Sequence, residues 1–293
     1  VDVETLIEFR NQFLRYFPGG DVHLEERASG IPTDFRHNYL MNTTIAGIET
    51  SDVCLLVGAN PRKEAPLLNA RIRKGVLHRG MEVASVGCAV NLTYPHQHLG
   101  ISLTTLKAIA EGRHPFCRQL ATAERPSLLV SNRALQRVDG EAIFAMAQDI
   151  AKYAGVVRDD WDGFNVMHSG ANTVGALDIG FDDKYRGLRH VDVADKPWSK
   201  TKLLILLGAD NIQDVDIPED CFVVYIGSHG DQGASTADLI LPGAAFTEKN
   251  TTFVNTEGRV QKTKVAFYPP GKAMDDTRIL RDLLGAEIGI STL

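Results

Sequence analysis

The feature that most constrains this chain is a recurring order: a short apolar run, a glycine turn, then an amphipathic helix. Asp52-Val53-Cys54-Leu55-Leu56-Val57 is apolar at every position after the first and is followed by Gly58-Ala59-Asn60-Pro61. A strand that is apolar on both faces belongs inside a sheet covered on both sides, which is the signature of parallel pairing. Pro66 suits the first turn of a helix, where its missing N–H costs nothing. Leu68, Ile72 and Val76 recur at four-residue spacing and predict the inner stripe of that helix. Gly80 closes it, and 81–87 supplies the next strand.

The order repeats. The pattern predicts a helix over 101–111 and a strand over 127–130. It then predicts a helix capped by Asp139, with Ile143, Met146, Ala147, Ile150 and Ala154 on one face and Gly155 as its stop. Further apolar runs lie at 202–207, 221–226 and 238–241. Strands alternating with helices make the fold class α/β: two Rossmann-like lobes with mostly parallel sheets. Residues 1–180 are read as a leading element and the first lobe. The leading element holds a helix over 3–17 and an extended piece near 22–25. Residues 181–200, charged and without apolar period, are the expected crossover. Residues 201–293 form the second lobe, expected to be truncated on its C-terminal side. No short internal repeat is evident.

A formal net charge of −6 argues against nucleic acid, whose partners are basic. The apolar runs are strand-sized and far too short for a bilayer crossing, so direct membrane insertion is not expected. The four cysteines, Cys54, Cys88, Cys117 and Cys221, are widely spaced with no CxxC pair. Zinc and cluster sites draw paired ligands from short loops, so no metal ligand is assigned.

In doubly wound sheets ligands sit at the carboxyl ends of strands, and three such ends stand out. Gly58-Ala59-Asn60 precedes a helix and could face an anion, but no GxGxxG or GxxxxGK[ST] is present. Gly87 and Cys88 follow the second strand, where a dinucleotide fold places a ribose-binding acid. Within 227–233, His229 and Asp231 could orient one another, the alternative being a tight turn packed against a neighbouring lobe. His96 and His98 would share a strand face without a third ligand. Arg71, Arg73, Lys74, His78 and Arg79 make a basic helix end, suited to the helix dipole or to an acidic partner. No catalytic, cofactor-binding or metal residue is assigned on these signals.

Asp238-Leu-Ile-Leu-Pro242, followed by Thr247-Glu-Lys-Asn-Thr-Thr-Phe-Val-Asn-Thr-Glu-Gly-Arg-Val-Gln261, resembles the molybdopterin oxidoreductase superfamily. Asn250-Thr251 departs from it, since members commonly carry a glycine before that threonine. Arg36–Glu49, Leu56–Gly75, Leu92–Gly100 and Ala134–Gly140 resemble, more narrowly, the 75-kDa-type large iron–sulfur subunit of respiratory complex I. That resemblance implies a non-catalytic structural module of the peripheral arm, at the matrix side of the mitochondrial inner membrane. It implies partners among the cluster-bearing, NADH-oxidising and quinone-side subunits. Its iron–sulfur clusters would be held by an N-terminal part or a partner chain, with no cofactor here. The alternative is an active molybdopterin-dependent oxidoreductase acting on formate or a similar small substrate.

Overall fold

The computed structural model describes residues 1–17, 20, 22, 24, 30–181, 200–210, 212 and 217–284. The expected crossover and the extended piece near 22–25 lie almost wholly outside them. The chain divides into two compact units. The first comprises 26–178 and 254–259; the second comprises 1–25, 179–253 and 260–293.

The chain opens with α1 (Val3–Tyr16), a part of the second unit. The first unit runs β1 (Val53–Val57), α2 (Pro61–Glu64), α3 (Pro66–Arg79), β2 (Glu82–Val86), β3 (Gln97–Gly100), α4 (Leu103–Ala110) and α5 (Cys117–Thr122). It continues with β4 (Pro126–Ser131), α6 (Asn132–Leu135), α7 (Gly140–Tyr153), β5 (Val157–Arg158), β6 (Trp161–Asp162), β7 (Phe164–Met167) and α8 (Thr173–Asp178). Its main sheet has the order β3-β2-β1-β4-β7 and every pairing is parallel. Strand order reverses between β1 and β4, which makes that seam the topological switch point. All five β1 positions are buried, as consecutive apolar residues in a covered strand must be. Ile72 of α3 is fully buried and packs with Met41, Ile48, Leu56 and Leu129. Each such side chain contributes about 1.5–3 kcal/mol by leaving water.

Helix α3 ends as its sequence demands: Gly80 adopts φ 72°, ψ 22° and its N–H bonds the Gly75 carbonyl. A Cβ there would meet nothing within 4 Å, so the position isolates backbone conformation from packing. Gly80→Ala is expected to lower stability by about 1–2 kcal/mol, the left-handed cost of an L-residue, read as a shifted urea midpoint at unchanged slope. The expected Asp139 cap is not formed. The Asp139 carboxylate instead takes both prongs of Arg137 at 2.7 and 2.8 Å, an ion pair two residues away that removes the acceptor from the helix end.

The second unit contains β8 (Leu203–Leu207), β9 (Phe222–Gly227), α9 (Gln232–Thr236), β10 (Leu239–Pro242), β11 (Thr252–Val254), β12 (Val260–Lys262) and α10 (Asp276–Leu284). Its parallel sheet has the order β10-β9-β8. Helix α1, expected beside the first lobe, packs against α10 here, and Arg281 bonds Glu8 at 2.9 Å.

The two units share a device that no sequence pattern announces. Gly58-Ala59-Asn60 after β1 and Gly208-Ala209-Asp210 after β8 are the same turn, with glycine φ of 58° and 57°. Each glycine N–H bonds the end of the next strand, Val86 at 2.8 Å and Ile226 at 2.7 Å. Each of those strand ends is followed by another glycine, Gly87 or Gly227. The short matching runs lie far apart, so the repeat shows only once the strands are aligned.

Candidate functional site

The switch point of the first unit is the natural place for a ligand, and its residues are engaged with one another. Gly58 has no Cβ; one added there would stand 2.6 Å from the Ala134 Cβ of α6. Gly87 is also close, since a Cβ on it would lie 3.2 Å from Gly58 Cα. The Glu64 carboxylate accepts the Asn60 N–H at 2.9 Å and the Ser131 hydroxyl at 2.7 Å. A carboxylate therefore occupies one donor from each of the β1 and β4 turns, where a second anion would meet charge repulsion. Asn132 is fully buried, and neither polar atom of its amide finds a partner in the described structure; the same holds for Asn60 Oδ1. These neutral groups suit a neutral polar guest, not a phosphate beside Glu64. Glu64→Ala strands the Asn60 N–H and the Ser131 hydroxyl, and is expected to cost about 1–3 kcal/mol in a urea melt.

The other candidate positions are not assembled into chemistry. Cys88 is exposed, and no acid follows β2 to hold a ribose. His98 Nδ1 lies 3.4 Å from the Ser85 hydroxyl on the neighbouring strand, while His96 stands outside β3. His229 and Asp231 form no bond with each other among the described residues. The His229 ring meets the Ser228 hydroxyl at 2.9 Å, and its carbonyl accepts the Tyr225 hydroxyl at 2.7 Å. Gly227 and Gly233 of that turn pack on their own unit, where a Cβ on Gly233 would stand 2.5 Å from the Ala209 carbonyl oxygen; a Cβ on Gly230 would meet nothing within 4 Å. Asp210, at the repeated turn, accepts the Gly233 N–H at 3.2 Å. In the basic helix end, Arg71 and Lys74 both pair with Glu49, Lys74 at 2.9 Å. Hydrogen bonds from Arg71 and then Lys74 hold the Glu49 carboxyl below the usual carboxylate range. The acidic partner expected for this helix end is, for these two cations, within the chain.

Two groups are not foreseen from sequence. Residues 254–259 are threaded into the first unit by bonds that use nearly every polar group of the segment. Val254 N–H reaches Asn172 Oδ1 at 2.8 Å, and the Thr256 carbonyl accepts the Met41 N–H at 2.8 Å. The Glu257 carboxylate accepts the Ile45 N–H at 2.7 Å and pairs with Arg259 at 2.9 Å. Asn255 Oδ1 closes the turn on the N–H groups of Glu257 and Arg259. In the second unit, Lys249 is buried between Asp2, at 2.7 Å, and Asp276.

The molybdopterin oxidoreductase family model matches residues 5–286. The chain belongs to that family. Among curated relatives, the NADH-ubiquinone oxidoreductase 75 kDa subunit of Reclinomonas americana is 47% identical over 97% of this chain and 42% of its own length. The NADH dehydrogenase [ubiquinone] iron-sulfur protein 1, mitochondrial, of Solanum tuberosum is 41% identical over 96% of this chain and 37% of its own. This family member thus spans about two fifths of the relatives it matches. A solved chain of the formyltransferase/hydrolase complex from Methylorubrum extorquens, crystallised with methylofuran, superposes with a TM-score of 0.64. It is 14% identical, over 97% of this chain and 89% of that one, and supports the fold alone.

The family implies a molybdenum-bearing pterin. At the switch point Glu64 takes the Asn60 N–H and the Ser131 hydroxyl, while the Asn132 amide keeps an unpartnered donor; no three His, Cys, Asp or Glu side chains gather among the described residues. Burial pushes the Cys54 thiol up to about 11. Cys117 and Cys221 are buried as well. Among the described residues no helix is long and apolar enough to cross a membrane.

Proposed function

We propose that this chain is a non-catalytic structural module of the peripheral arm of respiratory complex I, at the matrix face of the mitochondrial inner membrane. It packs the arm and positions neighbours, while iron–sulfur clusters held by another part or another subunit carry the electrons. Its partners are the cluster-bearing, NADH-oxidising and quinone-side subunits. The observation that carries this reading is how the family signature is used. Glu257 accepts the Ile45 N–H and the Thr256 carbonyl accepts the Met41 N–H, while Asn255 and Arg259 close the turn that presents them, so the motif works as a fastener. The identities to the two named respiratory subunits support the same assembly.

Native mass spectrometry of the complex from the source organism tests it. The expected result is this chain in fixed ratio with complex I subunits. Recovery of the chain as a free monomer overturns it. Family membership favours one rival, an active molybdopterin enzyme acting on formate or a similar substrate. Against it stands the Glu64 carboxylate at the switch point.

A further inference from the structure

Residues 258–274 carry Arg259, Lys262, Lys264 and Lys272 and no acid at all, in a chain whose net charge is −6. Arg259 is matched by Glu257; the three lysines have no ion-pair partner among the described residues. The same stretch exposes large apolar side chains: Val260 at 62%, Phe267 at 56% and Tyr268 at 89%, with Phe246 beside them at 63%. The stretch is held in place by its backbone. Thr263 N–H bonds the Thr251 carbonyl at 2.8 Å, Val265 N–H bonds Asn250 Oδ1 at 2.9 Å, and Ala266 N–H bonds the Thr247 carbonyl at 2.9 Å. Pro269 and Pro270 stiffen the backbone directly after Tyr268. Aromatic side chains displayed on an ordered strap lose little entropy when covered, which is the condition for binding anchors.

We propose that this strap, with Phe246, is a docking surface for an acidic segment of another polypeptide, whose apolar side chains seat among Phe246, Phe267 and Tyr268. The lysines face its carboxylates and steer its approach. The proposal rests on the assignment to a respiratory assembly and names where one neighbour attaches. Three observations select a polypeptide. Among the described residues β12 belongs to a two-stranded sheet, so one side of it is open to pairing with an added strand. The anchors stand on turn and bend backbone, not on the amphipathic helix that suits a bilayer surface. The negative charge of the whole chain opposes a broad anionic lipid surface, yet leaves a local acidic patch attractive within a screening length.

Carbodiimide cross-linking of the natively purified assembly, which joins Lys to Asp or Glu with no spacer, tests the surface. Expected are links from Lys262, Lys264 or Lys272 to carboxylates of one other polypeptide. The double variant Phe267→Ser, Tyr268→Ser, with an unchanged far-ultraviolet spectrum, should weaken retention in the assembly about thirtyfold, as loss of an anchor does. Links only to a second copy of this chain contradict the proposal. So does an assembly whose three lysines remain open to a soluble acetylating reagent, or a strap that tracks phosphatidylserine vesicles whether or not the aromatics are present. A chain found with no partner overturns the assembly reading along with the docking surface; open lysines within an intact assembly overturn the docking surface alone.

Discussion

Replacing Lys249 with methionine is expected to cost about 3–5 kcal/mol, the penalty for leaving buried carboxylates without their cation, and to unfold the second unit first. Lys249 is 7% exposed and lies between Asp2 and Asp276, themselves 1% and 12% exposed at the side chain. Burial acts first at both acids and favours their neutral forms. At Asp2 the Lys249 ammonium, joined by the Thr5 hydrogen bond, overcomes it and holds the carboxyl below its ordinary value. At Asp276 burial prevails over Lys249, and the nearby Asp2 and Asp275 charges add to it, so that carboxyl is held above its ordinary value.

The two acids therefore give pH dependences of opposite sign. The lowered Asp2 adds stability above its unfolded value, and this is lost as pH falls. The raised Asp276 adds stability at low pH, and this is lost as pH rises through its folded value. Methionine at 249 removes the cation from both, so the gap between wild type and variant should widen from about pH 4 to about pH 7. Chemical denaturation of both proteins across that range checks it. A gap independent of pH would show that the lysine acts only by filling space. The cluster ties the first turn of α1, the segment before β11 and the first turn of α10 together. Glu4 reinforces it by accepting the Thr251 hydroxyl and the Thr252 N–H, each at 2.8 Å.

The second large effect is expected at the switch point. Gly58→Ala meets two penalties, and they can be separated. At φ 58° an alanine incurs about 1–2 kcal/mol of left-handed strain. Its methyl would also lie 2.6 Å from the Ala134 Cβ, an overpacking costing about 1–3 kcal/mol. Ala134→Gly in the same chain removes the second penalty and leaves the first. A double-mutant cycle in urea should therefore return a favourable coupling of about 1–3 kcal/mol. Zero coupling would mean that the Gly58 turn and α6 are not in contact.

Legibility in the sequence tracks the distance over which each pattern acts. Val53–Val57 and Leu203–Leu207 announce buried parallel strands because every position is apolar, and Gly80 marks its helix end through one residue's φ. β7 has no clear signal because Phe164–Met167 is only four residues long and follows a glycine. The Asp139 cap fails because Arg137, two residues away, competes for the carboxylate. The site itself is harder to read. Glu64 meets Ser131 from another strand end, and Lys249 meets Asp2 from the far end of the chain; no local pattern reports such pairs. The expected pairing of His229 with Asp231 rests on closeness in sequence, and the turn sends the His229 ring to Ser228 instead. The motif around Glu257 is legible as a family mark but not as a fastener, because its partners lie near residues 36–45.

The central claim is that a fold shared with molybdenum enzymes here works as a cofactor-free structural part. Elemental analysis of the natively purified complex, paired with the fluorescence of oxidised pterin released on acid treatment, tests it most directly. Iron without stoichiometric molybdenum, tungsten or pterin is the expected result. One molybdenum or tungsten and its pterin per copy of this chain would contradict it.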